Sequence, residues 1–291
     1  MEYRKILVPI FGSSSDRTAL QAGIAIAKEF KAHLEALFVR FDPFQRTTYS
    51  YLASDLTGHA SKYLIEAAIR AADEAQEIAS ASFRDAIKKS GITVTDAPGK
   101  PSEATAELKV VQGGFVERIE QESRLADLVV FSGQGGDVES THEALEGALL
   151  SGSRPVLFVS AGVGGAAPGK RIALAFDGSA AAAHAVTASL PFLRTAQAVH
   201  AFEVAAAPRS STALADLKVY LALHGVEAVT HNVDPGHKST EEALIAAVQG
   251  EACDMLVLGG YGHSRVREFV FGGVTRHMLR RGPIPAVLMA H

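Results

Sequence analysis

The sequence predicts an α/β protein built as two doubly wound, parallel-sheet domains in tandem. Three observations carry this reading. Apolar runs recur in the same order in both halves, the runs are short and rich in Val, Ile and Leu, and helical patterns alternate with them. Short continuous apolar runs suit strands buried on both faces, as in a parallel sheet. Strand–helix alternation implies right-handed crossovers with helices on both faces.

The repetition is direct. Lys5-Ile-Leu-Val-Pro-Ile-Phe-Gly12-Ser13 aligns with Arg171-Ile-Ala-Leu-Ala-Phe-Asp177-Gly178-Ser179. With one residue slipped, HLEALFV (33–39) aligns with AVHAFEV (198–204). ADLVVF (126–131) aligns with CDMLVL (253–258), and RPVLFV (154–159) with IPAVLM (284–289). The stretch AGVGGAAPGK between them has the Gly, Ala and Pro content of a linker. The expected units are therefore residues 1–160, a linker over 161–170, and residues 171–291. At 291 residues the chain is comfortable for two such domains.

The helices follow from apolar stripes. Leu20, Ile24 and Ala27, with Phe30 or Lys31, form one, and the Ser13–Asp16 cluster supplies its N-cap region. Val186, Leu190 and Leu193 form the second-half counterpart. Residues 60–89 predict a longer helix with Leu64, Ala67, Ala68, Ala71 and Ala75 inward, and its counterpart near 212–224 is much shorter. Pro9 belongs near the end of its strand, where the chain leaves the ladder.

Composition narrows the function. A net charge near −4 argues against nucleic-acid binding through bulk electrostatics, which needs clustered Lys and Arg. No apolar run approaches the ~18 residues of a membrane span, and MEYRKILVPI reads as a strand rather than a signal peptide. The one cysteine, Cys253, excludes an intramolecular disulfide and fits a reducing compartment. A cytoplasmic location is the simplest expectation.

Open parallel sheets bind ligands beyond the carboxyl ends of their strands, at the switch in strand order. Here that means the residues after Phe176, Val204 and Leu258. Asp177-Gly178-Ser179 follows the first. A glycine-rich stretch from Gly259 to Thr275 follows the third and leads into an apparent helix. Glycines let backbone N–H groups approach an anion closely, and a helix N-terminus points further N–H groups at it. A helix dipole contributes only about 0.3–1 kcal/mol, whereas micromolar binding needs about −8 kcal/mol. A base pocket must therefore supply the rest, with the backbone past Val204 at its edge.

Gly259, two residues, Gly262, nine residues, then Gly272-Gly273-Val274-Thr275 resembles the nucleotide loop of ATP-binding universal stress proteins. Asp177-Gly178-Ser179 and the closing Pro-Ile-Pro-Ala-Val-Leu resemble the same family. The resemblance covers nearly the whole chain twice, the second half matching better. It implies five-stranded, Rossmann-like (adenine nucleotide alpha hydrolase-like) sheets, with adenine held by backbone near Val204 and phosphates on the glycine loop. The implied ligand is ATP, with magnesium left open, and the site set is Asp177, Gly178, Ser179, Val204, Gly259, Gly262, His263, Gly272, Gly273, Val274 and Thr275. Gly273 stands where the family usually has Ser or Thr, so one hydroxyl donor is missing and Thr275 replaces it in part. No catalytic residue and no metal ligand are assigned. The competing functions are a slow ATPase, against which the lack of a Walker lysine and an obvious general base counts, and a nucleotide-free interaction module, suggested by Gly273 and the altered first half.

Plainer roles stand beside these. Asp177 could simply cap a helix, and Arg265 and Arg267 could be solvated rather than steer phosphate. Cys253 reads as inert core. His263, Ser264 and His277 lack a third orienting group for nucleophilic chemistry. His224, His231 and His237 lack metal-ligand spacing and read as surface residues. The Ser132–Asp137 stretch only faintly resembles a pyrophosphatase loop and follows the wrong strand. In the first half Phe11 replaces Asp177, Ser132 replaces Gly259 and only Gly135 matches Gly262, so that half is expected to be structural. Its expected role is to pair with the second half as a pseudo-dimer through residues 155–159 and 285–289, with a homodimer of whole chains left open.

Overall fold

The computed structural model describes residues 2–42, 58–99, 102–133, 138–160, 166–204, 212–260 and 286–291. The first half runs β1 (Lys5–Ile10), α1 (Asp16–Phe30), β2 (His33–Arg40), α2 (Gly58–Ser90), β3 (Thr93–Val94), β4 (Thr105–Gln112), α3 (Phe115–Ser123), β5 (Leu128–Ser132), α4 (Val138–Glu146) and β6 (Val156–Val159). A π turn over Gly147–Ser151 closes α4. The second half runs β7 (Arg171–Ala175), α5 (Ala180–Thr195), β8 (Ala198–Val204), α6 (Ala213–Leu223), β9 (Val229–Val233), α7 (Thr240–Gly250), β10 (Met255–Gly259) and β11 (Ala286–Ala290).

All these strands join one sheet, in the order β3-β4-β2-β1-β5-β6-β11-β10-β7-β8-β9. Pairing is parallel within each half. Among the described residues the second half has the five strands expected. The first has the same five plus β3, two exposed residues with no apolar pattern to announce them. In each half the order switches direction beside the first strand, between β1 and β5 and between β7 and β10. The apolar runs are the buried strands: Ile6 to Ile10, Leu128 to Ser132 and Met255 to Leu258 are buried throughout. Pro9 lies one residue from the end of β1, beyond the described β1–β5 ladder of Ile6 and Leu7.

Two apolar layers cover the faces. Ala19 of α1, Ala79 of α2, Ala185 of α5 and Leu214 of α6 belong to one. Ile119 of α3, Ala144 of α4 and Leu244 of α7 belong to the other. The stripe expected on α2 holds in part: Ala68 and Ala75 are half-buried, Ala75 against the core, but Ala72, Ala79 and Phe83 are the buried residues, while Leu64, Ala67 and Ala71 are exposed. The helix is long, its residues 63–71 bury little, and its closely spaced alanines allow more than one apolar face. At α1, Ser15 makes no side-chain cap. Asp16 instead folds its carboxylate back onto the preceding turn.

The halves meet where their last strands pair. β6 and β11 run antiparallel, with Val159 opposite Ala286 and Val156 opposite Met289. These are the segments the sequence singled out, although Pro285 lies outside the described residues. Pairing removes two apolar sheet edges that would otherwise invite association. Tyr3, Phe30 and Phe192 add a ring cluster across the junction at 5.2–5.3 Å between centroids, and the Tyr3 hydroxyl donates to the Ala188 carbonyl at 2.6 Å. Of the linker, residues 161–165 lie outside the described set. Its end is fixed by the Asp254 carboxylate, which accepts from the amides of Gly169, Lys170 and Arg171.

Candidate functional site

The turn after β7 is built by three residues with distinct tasks. Gly178 has φ +78°, a left-handed conformation in which any side chain is strained. Ser179, not Asp177, is the N-cap of α5: its hydroxyl accepts from the Ala182 amide at 3.2 Å. Asp177 accepts from the Ser179 amide at 3.0 Å and stays exposed at the strand end. The plainer role considered for Asp177 therefore belongs to its neighbour.

Gly259 ends β10 against the first turn of α5. A Cβ there would lie 2.5 Å from the Ala182 nitrogen. The glycine lets strand and helix N-terminus meet. Val204 ends β8, half-buried and paired with Val233. Gly262, His263, Gly272, Gly273, Val274 and Thr275 lie outside the described residues, as do Arg265, Arg267, His277 and Gly135.

Beside this turn, between α5 and α6, a cavity of about 640 Å³ opens. Phe176 and Gly178 line its end at the sheet, Val186 and Leu217 are apolar walls, and Thr187, Asp216 and Tyr220 bring polar groups to it. The volume is that of a small-molecule pocket. Of the expected site residues that lie among the described residues, Gly178 is the one that lines it. The helix contributors were missed because a stripe pattern does not show which helical residues border a gap. The short α6 was the one available signal.

The first half shows the same turn closed. Gly12 has φ +72°, matching Gly178, but a Cβ on Gly12 would lie 2.3 Å from the Ala75 carbonyl oxygen of α2. At Gly178 the nearest neighbour of such an atom is Ala213 Cβ at 3.7 Å. Three amides of the first-half turn are also already taken. Asp16 accepts from Phe11 at 2.9 Å, Gly12 at 2.8 Å and Ser13 at 3.1 Å. Burial pushes the Asp16 carboxyl upward from its usual range, and these three amides hold it back. Ser132, at the position of Gly259, donates its hydroxyl to the Ser15 carbonyl at 3.0 Å, and Phe11 packs on Phe115.

A second polar grouping lies elsewhere. His200 of β8, His231 of β9 and Glu251 after α7 converge, with the His200 Nδ1 to His231 Nε2 distance 3.0 Å. His231, read from the sequence as a surface residue lacking metal-ligand spacing, is half-buried and meets His200 and Glu251. The partners come from strand register and not from spacing along the chain. Burial pushes the His200 imidazole below its usual range; Glu251 opposes this, while His231 and Arg171 add to it. Cys253 is buried, its thiol pushed up to about 11 by desolvation, which fits an inert core residue.

Fold and strand-end geometry together define a class: a tandem, doubly wound α/β protein with a glycine turn and a helix N-terminus at a topological switch. Comparison then places it. The profile of the Universal stress protein family matches residues 2–153 and again residues 169–290, and the chain belongs to that family. A universal stress protein from Archaeoglobus fulgidus DSM 4304 superposes with a TM-score of 0.64 at 16% identity, covering 99% of this chain and 96% of that one. A Pseudomonas aeruginosa UCBPP-PA14 protein assigned to the same family gives a TM-score of 0.55 at 16% identity over 99% and 93%. Universal stress protein Slr1230 of Synechocystis is 40% identical over 52 residues, spanning 18% of this chain and 17% of that protein. Among the described residues no helix is long and apolar enough to cross a membrane.

Proposed function

We propose that this universal stress protein binds an adenine nucleotide, ATP, in its second half, at the carboxyl ends of β7, β8 and β10. The observation that carries the proposal is the contrast between the halves. One turn is open beside a cavity of about 640 Å³, and the equivalent turn is covered by α2, with its amides bound by Asp16. In this reading Asp177 and the backbone at Val204 border the nucleoside. The α5 N-terminus and the loop from Gly259 through Gly262, His263, Gly272, Gly273, Val274 and Thr275 take the phosphates. The first half is a nucleotide-free structural partner.

Mass spectrometry of small molecules released from the purified chain tests this directly, and the expected species is an adenine nucleotide at one equivalent or less. Added ATP at about 100 times its dissociation constant should stabilise the fold by about 2.7 kcal/mol, several degrees in melting temperature. No shift at millimolar ATP with magnesium would remove the proposal. Phosphate release under single-turnover conditions distinguishes a binding protein from a slow ATPase.

A further inference from the structure

We propose that the second half carries a divalent metal site of the zinc type, held by His200 Nδ1, His231 Nε2 and the Glu251 carboxylate. It is separate from the nucleotide cavity, since none of its three residues lines that space.

The geometry is that of three ligands around one ion. Zinc bonded to nitrogen at ~2.0–2.1 Å in a tetrahedron holds its ligand atoms about 3.3–3.4 Å apart. Here His200 Nδ1 lies 3.0 Å from His231 Nε2 and 3.5 Å from Glu251 Oε2, and all three donor atoms lie within 4.8 Å of one another. Two imidazoles and a carboxylate suit zinc. They leave a fourth position for water, on the side where Glu251 is over a third exposed.

The first half supplies an internal comparison. Strand register makes Glu35 the counterpart of His200, because Glu35 pairs with Leu7 and His200 with Ala173. Lys109 is likewise the counterpart of His231, because Lys109 pairs with Leu37 and His231 with Phe202. In the first half the place is filled by fixed cations: Lys5 lies 2.8 Å from Glu35, and Lys109 lies 2.5 Å from Glu122 and 3.8 Å from Glu35. In the second half both Glu35 and Lys109 are replaced by histidine. The ammonium that sits between carboxylates has gone, and groups that bind a cation stand in its place.

One neighbour opposes the ion. Arg171 Nη2 lies 3.4 Å from His200 Nε2, while the same guanidinium donates from Nε and Nη2 to the Glu251 carbonyl at 3.0 and 2.9 Å. Metal on Nδ1 leaves the imidazole proton on Nε2, facing a donor. The long Arg171 contact is therefore the one that binding gives up, and the arginine's charge weakens the site.

Untagged full-length protein, stripped with a chelator and titrated with zinc ions by calorimetry, should bind one equivalent at micromolar affinity or tighter. His231→Ala and Glu251→Gln should each weaken binding at least tenfold, with circular dichroism confirming that both variants fold. His224→Ala and His237→Ala, among the described histidines outside the cluster, should leave it unchanged. Cobalt substitution should give the intense visible absorption of a tetrahedral site. Arg171→Gln, whose amide oxygen can accept from Nε2, should tighten binding. Absence of a saturable equivalent, unchanged affinity in both ligand variants, or weaker binding by Arg171→Gln would overturn the assignment.

Discussion

Asp16 shows how one carboxylate can occupy the place of a ligand. It is buried and bound to three backbone amides of the turn that, in the second half, faces open space. Replacing it with Asn turns one acceptor into a donor aimed at those amides. Asp16→Asn should cost about 1–3 kcal/mol in denaturant unfolding and leave ATP affinity unchanged, because the affected turn is not the one proposed to bind. Asp177 gives the complementary case. Since Ser179 caps α5, Asp177→Ala should weaken nucleotide binding with little loss of stability, whereas Ser179→Ala should lose about 0.5–2 kcal/mol. Calorimetry and thermal melts on the two variants separate the roles. His200 adds a pH dependence in the metal-free protein. Its folded pKa lies below the ordinary value of 6.5 under burial and the facing charges of Arg171 and His231, with Glu251 opposing. Its contribution is therefore complete above that value and is lost as pH falls through the folded pKa. Stability measured from pH 7.5 downward should decline less steeply in His200→Gln.

At the scale of the element, the difference between the halves is mainly the length of one helix. α2 spans 33 residues and lays Ala75 over Gly12, while α6 spans 11 and leaves the space beside Gly178 open. Filling that space should mimic the first half. Ala213→Phe projects a ring toward Gly178 and should reduce ATP affinity at least tenfold, read by titration, with the melting temperature changing by a few degrees at most. The same pair of helices shows what the sequence discloses. Strands such as Leu128–Ser132 and Met255–Gly259 are legible because burial on both faces leaves only apolar residues. The relative shortness of α6 was legible too. The buried face of α2 was legible only in part, because its alanines support more than one stripe. Whether Asp177 caps α5 was open in the sequence because Asp177 and Ser179 are both capping residues, and the left-handed Gly178 lets Ser179 start the helix. The His200–His231 contact joins residues 31 apart on neighbouring strands; only the β8–β9 register brings them together.

For the whole molecule, the β6–β11 junction is the decisive contact. Residues 168–291 expressed alone would present β11 as an apolar edge. That fragment should dimerise or precipitate, and sedimentation of the purified fragment checks this; a soluble monomer at high concentration would show that the junction is dispensable.

The junction also makes a dyad covalent. Two separate copies joined through their last strands would part on dilution, and their stability would depend on how many were present. Here the partner is always tethered, at an effective concentration set by the chain itself. Assembly is therefore insensitive to copy number, and the melting temperature of the full chain should not move as the sample is diluted. A chain made in few copies is as completely assembled as one made in abundance.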